Sequence, residues 1–260
     1  HQPIHPRSKL RVFSASVGKK CEVKEAVKLD CPEISDFFDL SRTDYSRYFC
    51  DLEYPWDILD RISDIVKDNL NPDNRCGEIS PGASVGNKVE IGDGTVIEPG
   101  ATIKGPAIIG ANCEVRSGAY IRKDVVVGND VTIGHSTELK RSLIHDEAEI
   151  PHFTYVGDSV VGWKGHLGAG VKVSNLKVNR EPVVVHLKGG DCPTGRRKFG
   201  CLLGDEAEIG CNSVLNPGTL VGKRTLSTAN TSLSGYYPPD SFVKLVQKTE
   251  VVERRKEKGG

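Results

Sequence analysis

The 260-residue chain contains no methionine, few aromatic residues (6%) and no net charge, since 35 basic residues balance 35 acidic ones. Balanced charge argues against a field that attracts nucleic acid or membrane surfaces. No apolar stretch approaches the roughly 18 residues needed to span a bilayer. The opening residues, HQPIHPR, are not followed by the apolar run of a secretory signal, so we expect a cytoplasmic protein. We find no physical reason for the missing methionine.

Closely spaced cysteines are also absent, because none of the eight forms a C-x-x-C pair. This spacing argues against a disulfide framework and predicts reduced, buried thiols in a cytosolic protein. No resident metal ion is expected either. The cysteines are Cys21, Cys31, Cys50, Cys76, Cys113, Cys192, Cys201 and Cys211.

What the sequence does contain is a large aliphatic residue at every sixth position over eleven repeats. A strict six-residue period is neither helical nor that of a plain strand, and it indicates a parallel β-helix of hexapeptide repeats. Ordinary short strands in a sandwich are the alternative, but they rarely keep so fixed a period. The series is Ile79, Val85, Ile91, Ile97, Ile103, Ile109, Val115, Ile121, Val127, Ile133 and Leu139.

The chain is predicted to divide into three parts. Residues 1–78 lack the hexad and form a small α-rich N-terminal segment, docked on the first coils, with short strands at 11–13 and 21–23. Its helix begins at Pro55, has apolar residues at spacings of three and four, and ends at Asn71. Residues 79–240 form the β-helix domain, and 241–260 form a charged C-terminal tail.

The hexad changes in the middle of the β-helix. After Leu139 it contains two five-residue steps, and it is then interrupted by a polar excursion at residues 176–199 that we predict to be a functional or mobile loop. The hexad resumes from Leu203, with Ser227 in place of one aliphatic residue. The inward residues after Leu139 are predicted to be Ile144, Ile150, Val156, Val161, Leu167, Val173, Leu203, Ile209, Leu215, Val221 and Leu233.

Chemically useful side chains concentrate where this period is irregular. A histidine such as His152 can take a proton from an amine that attacks a carbonyl. Backbone amides around Ala169, between two glycines, can stabilise the oxyanion of a thioester. Lys140 and Tyr155 can hold an anionic substrate. Each residue also has a purely structural interpretation, as a turn histidine or a corner glycine.

These motifs together resemble a known family. Glu138-Leu139-Lys140, Pro151 to Asp158, Leu167 to Gly170, Asn175 and Thr194 to Lys198 resemble the acetyltransferase domain of bifunctional glucosamine-1-phosphate acetyltransferase/N-acetylglucosamine-1-phosphate uridyltransferase. Archaeal sugar-1-phosphate nucleotidyltransferase/acetyltransferases are similar. The resemblance covers residues 79–240 and implies a left-handed parallel β-helix, a homotrimer with active sites between subunits, and acetyl transfer from acetyl-CoA to a sugar amine.

The resemblance also implies roles for single residues. His152 would be the general base and Asn175 would position the reacting groups. The substrate-binding residues would be Arg116, Lys140, Tyr155 and His166, the last standing where the bacterial enzyme has a sugar-binding asparagine. The CoA-binding residues would be Ala169, Arg196, Arg197, Lys198 and Ala229, with Lys198 near the acceptor or CoA.

The excursion carries six cations, which would either clamp the phosphates of CoA or form a solvated mobile loop. These residues are Lys177, Arg180, Lys188, Arg196, Arg197 and Lys198.

The sequence therefore predicts an acetyl-CoA-dependent N-acetyltransferase that acts on an amino-sugar phosphate or a nucleotide amino sugar. The first alternative is a non-catalytic β-helix module that assembles a separate nucleotidyltransferase, since residues 1–78 contain no glycine-rich nucleotidyltransferase loop. The second is a trimeric zinc enzyme of the γ-carbonic anhydrase kind. The histidines available for it lack the close ligand spacing of that family; they are His135, His145, His152 and His166.

Overall fold

The computed structural model describes residues 31–252. The strands expected at 11–13 and 21–23 lie outside that range. Four short 3-10 turns, Ile34–Asp36, Leu40–Arg42, Ser46–Phe49 and Pro55–Asp57, lead into helix α1, Ile58–Asn69. The predicted helix is thus confirmed, and Pro55 occupies the first turn, where its missing N–H costs nothing. The apolar side chains of α1 are buried on one face; they are Ile58, Leu59, Ile62, Ile65 and Val66.

The predicted β-helix of hexapeptide repeats is confirmed as a parallel solenoid with three faces, A, B and C. Face A contains β1 (Glu78–Ile79), β4 (Val96–Ile97), β7 (Glu114–Val115), β10 (Thr132–His135), β12 (Glu149–His152), β14 (His166–Leu167), β19 (Glu208–Ile209), β22 (Leu226–Ser227) and β25 (Phe242–Val243). Face B contains β2 (Ser84–Val85), β5 (Thr102–Ile103), β8 (Tyr120–Ile121), β11 (Glu138–Ile144), β13 (Tyr155–Val161), β15 (Lys172–Val173), β20 (Val214–Leu215) and β23 (Ser232–Leu233). Face C contains β3 (Val89–Ile91), β6 (Ala107–Ile109), β9 (Val125–Val127), β18 (Cys201–Leu203), β21 (Thr219–Val221) and β24 (Tyr236–Tyr237), together with the ends of β11 and β13.

The aliphatic series forms the interior of the solenoid. Ile79, Ile97 and Val115 pair in register on successive coils, so one coil takes 18 residues, or three hexads. The series from Ile91 onward is buried, whereas Ile79 is 37% exposed because no described coil covers it. Full burial of such a side chain contributes roughly 1.5–3 kcal/mol. The stacked interior is therefore the main source of stability of this fold.

The two five-residue steps change the corner between faces B and C. Leu139 and Ile144 both point inward although one residue fewer separates them, so β11 continues around the corner without a separate turn. β13 does the same between Val156 and Val161. The corner residues Arg141 and Asp158 adopt left-handed backbone angles, with φ of 43° and 51°.

The N-terminal segment packs on the outside of face C. The middle residues of the face C strands point outward, are apolar, and form a second hydrophobic cluster with Phe37, Trp56 and α1. Helix α1 contacts β9, β11 and β13. The predicted docking on the first coils describes only part of this contact. Asn71 and Asn74 donate hydrogen bonds to Glu90 of β3, but α1 lies on later coils, because the outward apolar residues of face C continue beyond the first ones. These residues are Ile108, Val126, Leu143, Val160, Leu202 and Leu220.

The excursion at 176–199 contains regular structure. Strands β16 (Val184–Leu187) and β17 (Gly190–Pro193) form an antiparallel hairpin. Val185 and Cys192 of this hairpin are buried in the same cluster as Trp56. The hairpin is thus held against the N-terminal segment, which the polar composition of the excursion did not indicate.

The cysteines follow the sequence prediction only in part. Cys113, Cys192 and Cys201 are buried thiols, whereas Cys50, Cys76 and Cys211 are exposed. Among residues 31–252, no helix is long and apolar enough to cross a bilayer.

His145 is a buried histidine at the contact between the N-terminal segment and the β-helix. Its ring lies 5.3 Å from that of Phe38 and 6.1 Å from that of Phe49, centroid to centroid. The side chain is 3% exposed, and its Nε2 has no hydrogen-bond partner in the described part of the chain. Burial lowers the pKa of His145 to about 4, because a charged imidazole would lose its hydration there.

We expect His145 to make the protein less stable in mild acid. Between pH 6.5 and about 4 the unfolded chain binds a proton at this residue and the folded chain does not, so stability falls as pH decreases. The loss should be on the order of 1–3 kcal/mol. Urea unfolding at pH 7 and pH 4.5 measures it. His145→Phe should flatten this pH dependence, whereas replacing the exposed His186 should leave the pH dependence unchanged. An equal change of unfolding free energy with pH in wild type and H145F would contradict this assignment.

Candidate active site

The corner between faces A and B stacks three of the predicted site residues in one column. Strand pairing puts His135 beside His152 on adjacent coils. The carbonyl oxygen of His152 accepts from Gly170 N at 2.9 Å, and that of Ala169 accepts from Asn212 N at 2.8 Å. Further along, the Cys211 carbonyl accepts from Asn230 N at 2.8 Å. The resulting column, which we call the histidine corner, consists of His135, His152, Ala169, Cys211 and Ala229.

The histidine corner carries an imidazole and a backbone amide that have no hydrogen-bond partner among residues 31–252. His152 is exposed, and its ring makes no hydrogen bond to any side chain or backbone group of residues 31–252. The ring of the exposed Phe153 lies 6.3 Å from it. The N–H of Ala169 likewise has no acceptor among the described residues. An imidazole and a free backbone N–H therefore lie one coil apart on the same edge.

The corner between faces B and C collects the remaining polar residues around a buried carboxylate. Asp158, 1% exposed, accepts hydrogen bonds from Asn175 Nδ2 at 2.5 Å and Lys140 Nζ at 3.2 Å. Its other oxygen lies 3.5 Å from Nη1 of Arg141. Asn175 Nδ2 also donates to the Tyr155 hydroxyl at 3.2 Å. We call this group the Asp158 cluster.

A glycine makes the Asp158 cluster possible. A Cβ at Gly157 would lie 2.5 Å from the Tyr155 hydroxyl and 2.7 Å from Nδ2 of Asn175. Those distances are too short for any side chain. The strand register, which pairs Lys140 with Gly157, then brings the Lys140 amine to the same corner.

The cluster is electropositive at its outer edge. The positive charge of Lys140 is the main reason that the pKa of Lys198 is lowered, which shows the two amines to be neighbours. Burial and then the charge of Asp158 raise the pKa of the Tyr155 phenol, so it stays protonated and able to donate. The cluster offers ammonium, amide and phenol donors, a set suited to a phosphorylated sugar.

The other predicted site residues lie elsewhere. Arg116, at the end of β7, pairs with Glu114 at 2.6 Å and lies two coils before His152. His166 lies on face A, in register with glutamates, away from both corners. Arg196 forms ion pairs with Asp57, at 2.7 Å, and Asp60 of the N-terminal segment. Arg197 and Lys198 are exposed.

The sequence analysis missed the roles of Asp158, Arg141 and Asp60. The available signal was the pair of five-residue steps, because a shortened step puts Arg141 and Asp158 at a corner. No sequence pattern linked Asp60 to Arg141, whose Nη2 lies 3.5 Å from it. Among residues 31–252, no group of three or more His, Cys, Asp and Glu side chains is placed to hold a metal ion.

Comparison with known proteins assigns the chain to a family. Residues 103–234, half of the chain, match the family described as "GMPPB C-terminal domain". The chain belongs to this family. It is also 36% identical over 211 residues to the "Bifunctional protein GlmU" of Methanococcus aeolicus, an alignment that covers 81% of this chain and 50% of that protein.

A second relative carries an acetyltransferase name. The "Bifunctional sugar-1-phosphate nucleotidylyltransferase/acetyltransferase" of Sulfurisphaera tokodaii is 34% identical over 197 residues, covering 73% of this chain and 49% of that protein. The chain thus spans about half the length of the curated relatives it matches. The similarity to these bifunctional proteins predicted from the sequence is confirmed.

Solved structures add only a distant likeness. The Francisella novicida UDP-N-acetylglucosamine acyltransferase is 17% identical, with a TM-score of 0.31, over 66% of this chain and 64% of that one. A similarity of this size adds nothing to the fold described above.

We expect Asp158→Asn to destabilise the protein. The substitution keeps the shape of the side chain but removes the counter-charge of Lys140, while Arg141 keeps its pair with Asp60. Because both cations are partly exposed, the loss should be about 1.5–3 kcal/mol, as for hydrogen bonds to a charged group. Urea unfolding measures the loss. Asp240→Asn, which breaks an exposed pair with Arg224, is the control and should change little; equal stability of D158N and wild type would show that the cluster is solvated.

Proposed function

We propose that the chain transfers an acetyl group from acetyl-CoA to the amine of an amino-sugar phosphate or a nucleotide amino sugar. The observation that carries the proposal is the histidine corner, where the unpartnered imidazole of His152 lies one coil from the unused amide of Ala169. The name of the Sulfurisphaera tokodaii relative, which includes a sugar-1-phosphate and an acetyltransferase activity, supports the same reaction class.

Acetyl-CoA would lie along the histidine corner. The amide of Ala169 would donate to the thioester oxygen, and Ala229, two coils further on, would contact the rest of CoA. Such an amide is most effective when negative charge develops on that oxygen during attack. The small side chains along this column leave the backbone accessible to a long ligand.

The acceptor would be held by the Asp158 cluster. Lys140 and the Tyr155 hydroxyl would bind its phosphate, and Asn175 would orient the sugar. Asp158 fixes Lys140 and Asn175 by hydrogen bonds of 3.2 and 2.5 Å, so these donors are positioned before the substrate arrives. Arg116 and His166 lie away from this cluster. We therefore propose that they contact the substrate only in a site shared with a neighbouring subunit.

In the proposed reaction, the sugar amine attacks the thioester carbonyl and forms the new C–N bond. His152 takes the proton that the nitrogen loses, and the oxyanion is held by the Ala169 amide. The tetrahedral adduct then collapses, the C–S bond breaks, and the CoA sulfur leaves with a proton returned by His152. Imidazole suits both steps because it exchanges protons near neutral pH.

Assembly into a homotrimer would complete the site. Within one chain the histidine corner and the Asp158 cluster lie at opposite edges of face B. Face C is covered by the N-terminal segment, so faces A and B are left for a neighbouring subunit. A three-fold arrangement would bring the histidine corner of one subunit to the Asp158 cluster of the next. The cytoplasmic location and a separate nucleotidyltransferase partner stay predictions.

We expect His152→Ala to lower kcat for acetylation of glucosamine 1-phosphate by at least about 10²-fold, since general bases contribute about 10²–10⁴-fold in rate. The dissociation constant for acetyl-CoA should change little, because the imidazole acts on the amine. A coupled assay for free CoA gives the rate. His186→Ala, which changes an exposed histidine outside the proposed site, is the control and should keep the wild-type rate; near wild-type turnover of H152A would show that the base is assigned to the wrong histidine.

We also expect a trimer in solution. Light scattering at micromolar concentration should give three times the mass of one chain, because the proposed site needs two subunits. A monomer that turns over at the full rate would contradict the shared site.

A further inference from the structure

A cavity adjoins the Asp158 cluster on the side of the N-terminal segment. Its volume is about 480 Å³, and it is lined by Asp60 of α1, Arg141 of β11 and residues 194–198 of the excursion. Three separate parts of the chain therefore meet around one space. Arg141 connects this space to the cluster, because its Nη1 lies 3.5 Å from Asp158.

The cations of the cavity are only partly neutralised. Arg196 pairs with Asp57 and Asp60, while Arg141 lies between Asp60 and Asp158. Lys140 of the adjoining cluster, Arg197 and Lys198 bring the number of cations to five. The carboxylates number three, Asp57, Asp60 and Asp158, so two positive charges are in excess. Arg197 and Lys198 form no ion pair within residues 31–252, and the buried Nε of Arg196 has no hydrogen-bond partner there.

The shape of the cavity suits an oxyanion. Gly195 has no atom within 4 Å of the position a Cβ would take, so a ligand can approach its backbone closely. The guanidinium group of Arg197 can offer two parallel N–H donors to a phosphate, whereas that of Arg141 is held by Asp158, Asp60 and the Leu59 carbonyl and contributes mainly its charge. Asp57 and Asp60 hold Arg196 in place, so part of the cavity is preorganised by the N-terminal segment.

We propose that this cavity, together with Lys140 of the adjoining Asp158 cluster, binds the phosphoryl group of the acceptor, with Arg197 as its main free ligand and the N-terminal segment as one wall. The proposal rests on the proposed function for the identity of the acceptor. It reassigns Arg197 from CoA, because the cavity joins the Asp158 cluster through Arg141, whereas Ala169 and Ala229 lie at the other edge of face B. A phosphate group with two negative charges would neutralise the two excess positive charges.

Isothermal titration with glucose 1-phosphate tests the site without catalysis, because this sugar has no amine to acetylate. Arg197→Ala should raise its dissociation constant about 10-fold, the loss expected for one charge-assisted contact. Arg180→Ala is the matched control, since Arg180 is an exposed arginine of the same excursion outside the cavity, and it should bind as the wild type does. Both variants should melt at the wild-type temperature, because neither side chain has a partner in the described chain.

Absence of glucose 1-phosphate binding to the wild type, or equal affinity in R197A, would overturn the proposal. Titrations with CoA and 3′-dephospho-CoA distinguish the source of the phosphate. If R197A weakens only CoA, and does not weaken dephospho-CoA or glucose 1-phosphate, the cavity serves the 3′-phosphate of CoA and the proposal is wrong. Loss of glucose 1-phosphate affinity in R197A without any acetylation by the wild type would retain the phosphoryl site and reject the acetyltransferase.

Discussion

Every other feature of this protein depends on the stacking of inward aliphatic side chains along the β-helix. Because coils repeat every 18 residues, each interior residue packs on its counterparts in the coils before and after it. Backbone hydrogen bonds between the same coils fix the register, so corner residues far apart in sequence form straight columns. His152, Ala169 and Ala229 share a corner because of this register.

The same packing explains why the Asp158 cluster forms where the repeat is irregular. A regular hexad alternates short strands with turns, and its corners carry small or polar residues with no special chemistry. The five-residue steps at Leu139 to Ile144 and Val156 to Val161 keep both aliphatic residues inside while removing part of the turn. Asp158 is thereby buried at a corner where Lys140 and Arg141 neutralise its charge and Asn175 donates a hydrogen bond to it. The two shortened steps interrupt the regular repeat and produce a polar cluster whose hydrogen-bond donors are already held in place.

The N-terminal segment has two roles on this scaffold. It covers the outward apolar residues of face C, which would otherwise be exposed along the length of the solenoid. It also places Asp57 and Asp60 against Arg196 and Arg141, beside the Asp158 cluster. The N-terminal segment therefore stabilises the fold and also contacts the proposed acceptor site. The contact is made through Arg196, which follows the hairpin of the excursion.

The sequence by itself determined the β-helix, its interior residues and helix α1, because these depend on local periodicity that each residue carries independently of its partners. It also pointed to His152, Lys140, Tyr155 and Asn175 through their motifs. Only the tertiary structure decided that Asp158 is the centre of one corner, that α1 covers the middle of face C, and that Arg196 pairs with α1. Those contacts join residues up to 139 positions apart, such as Arg196 and Asp57. No local pattern encodes them, since they follow from which coil and which corner each side chain reaches after the chain has stacked.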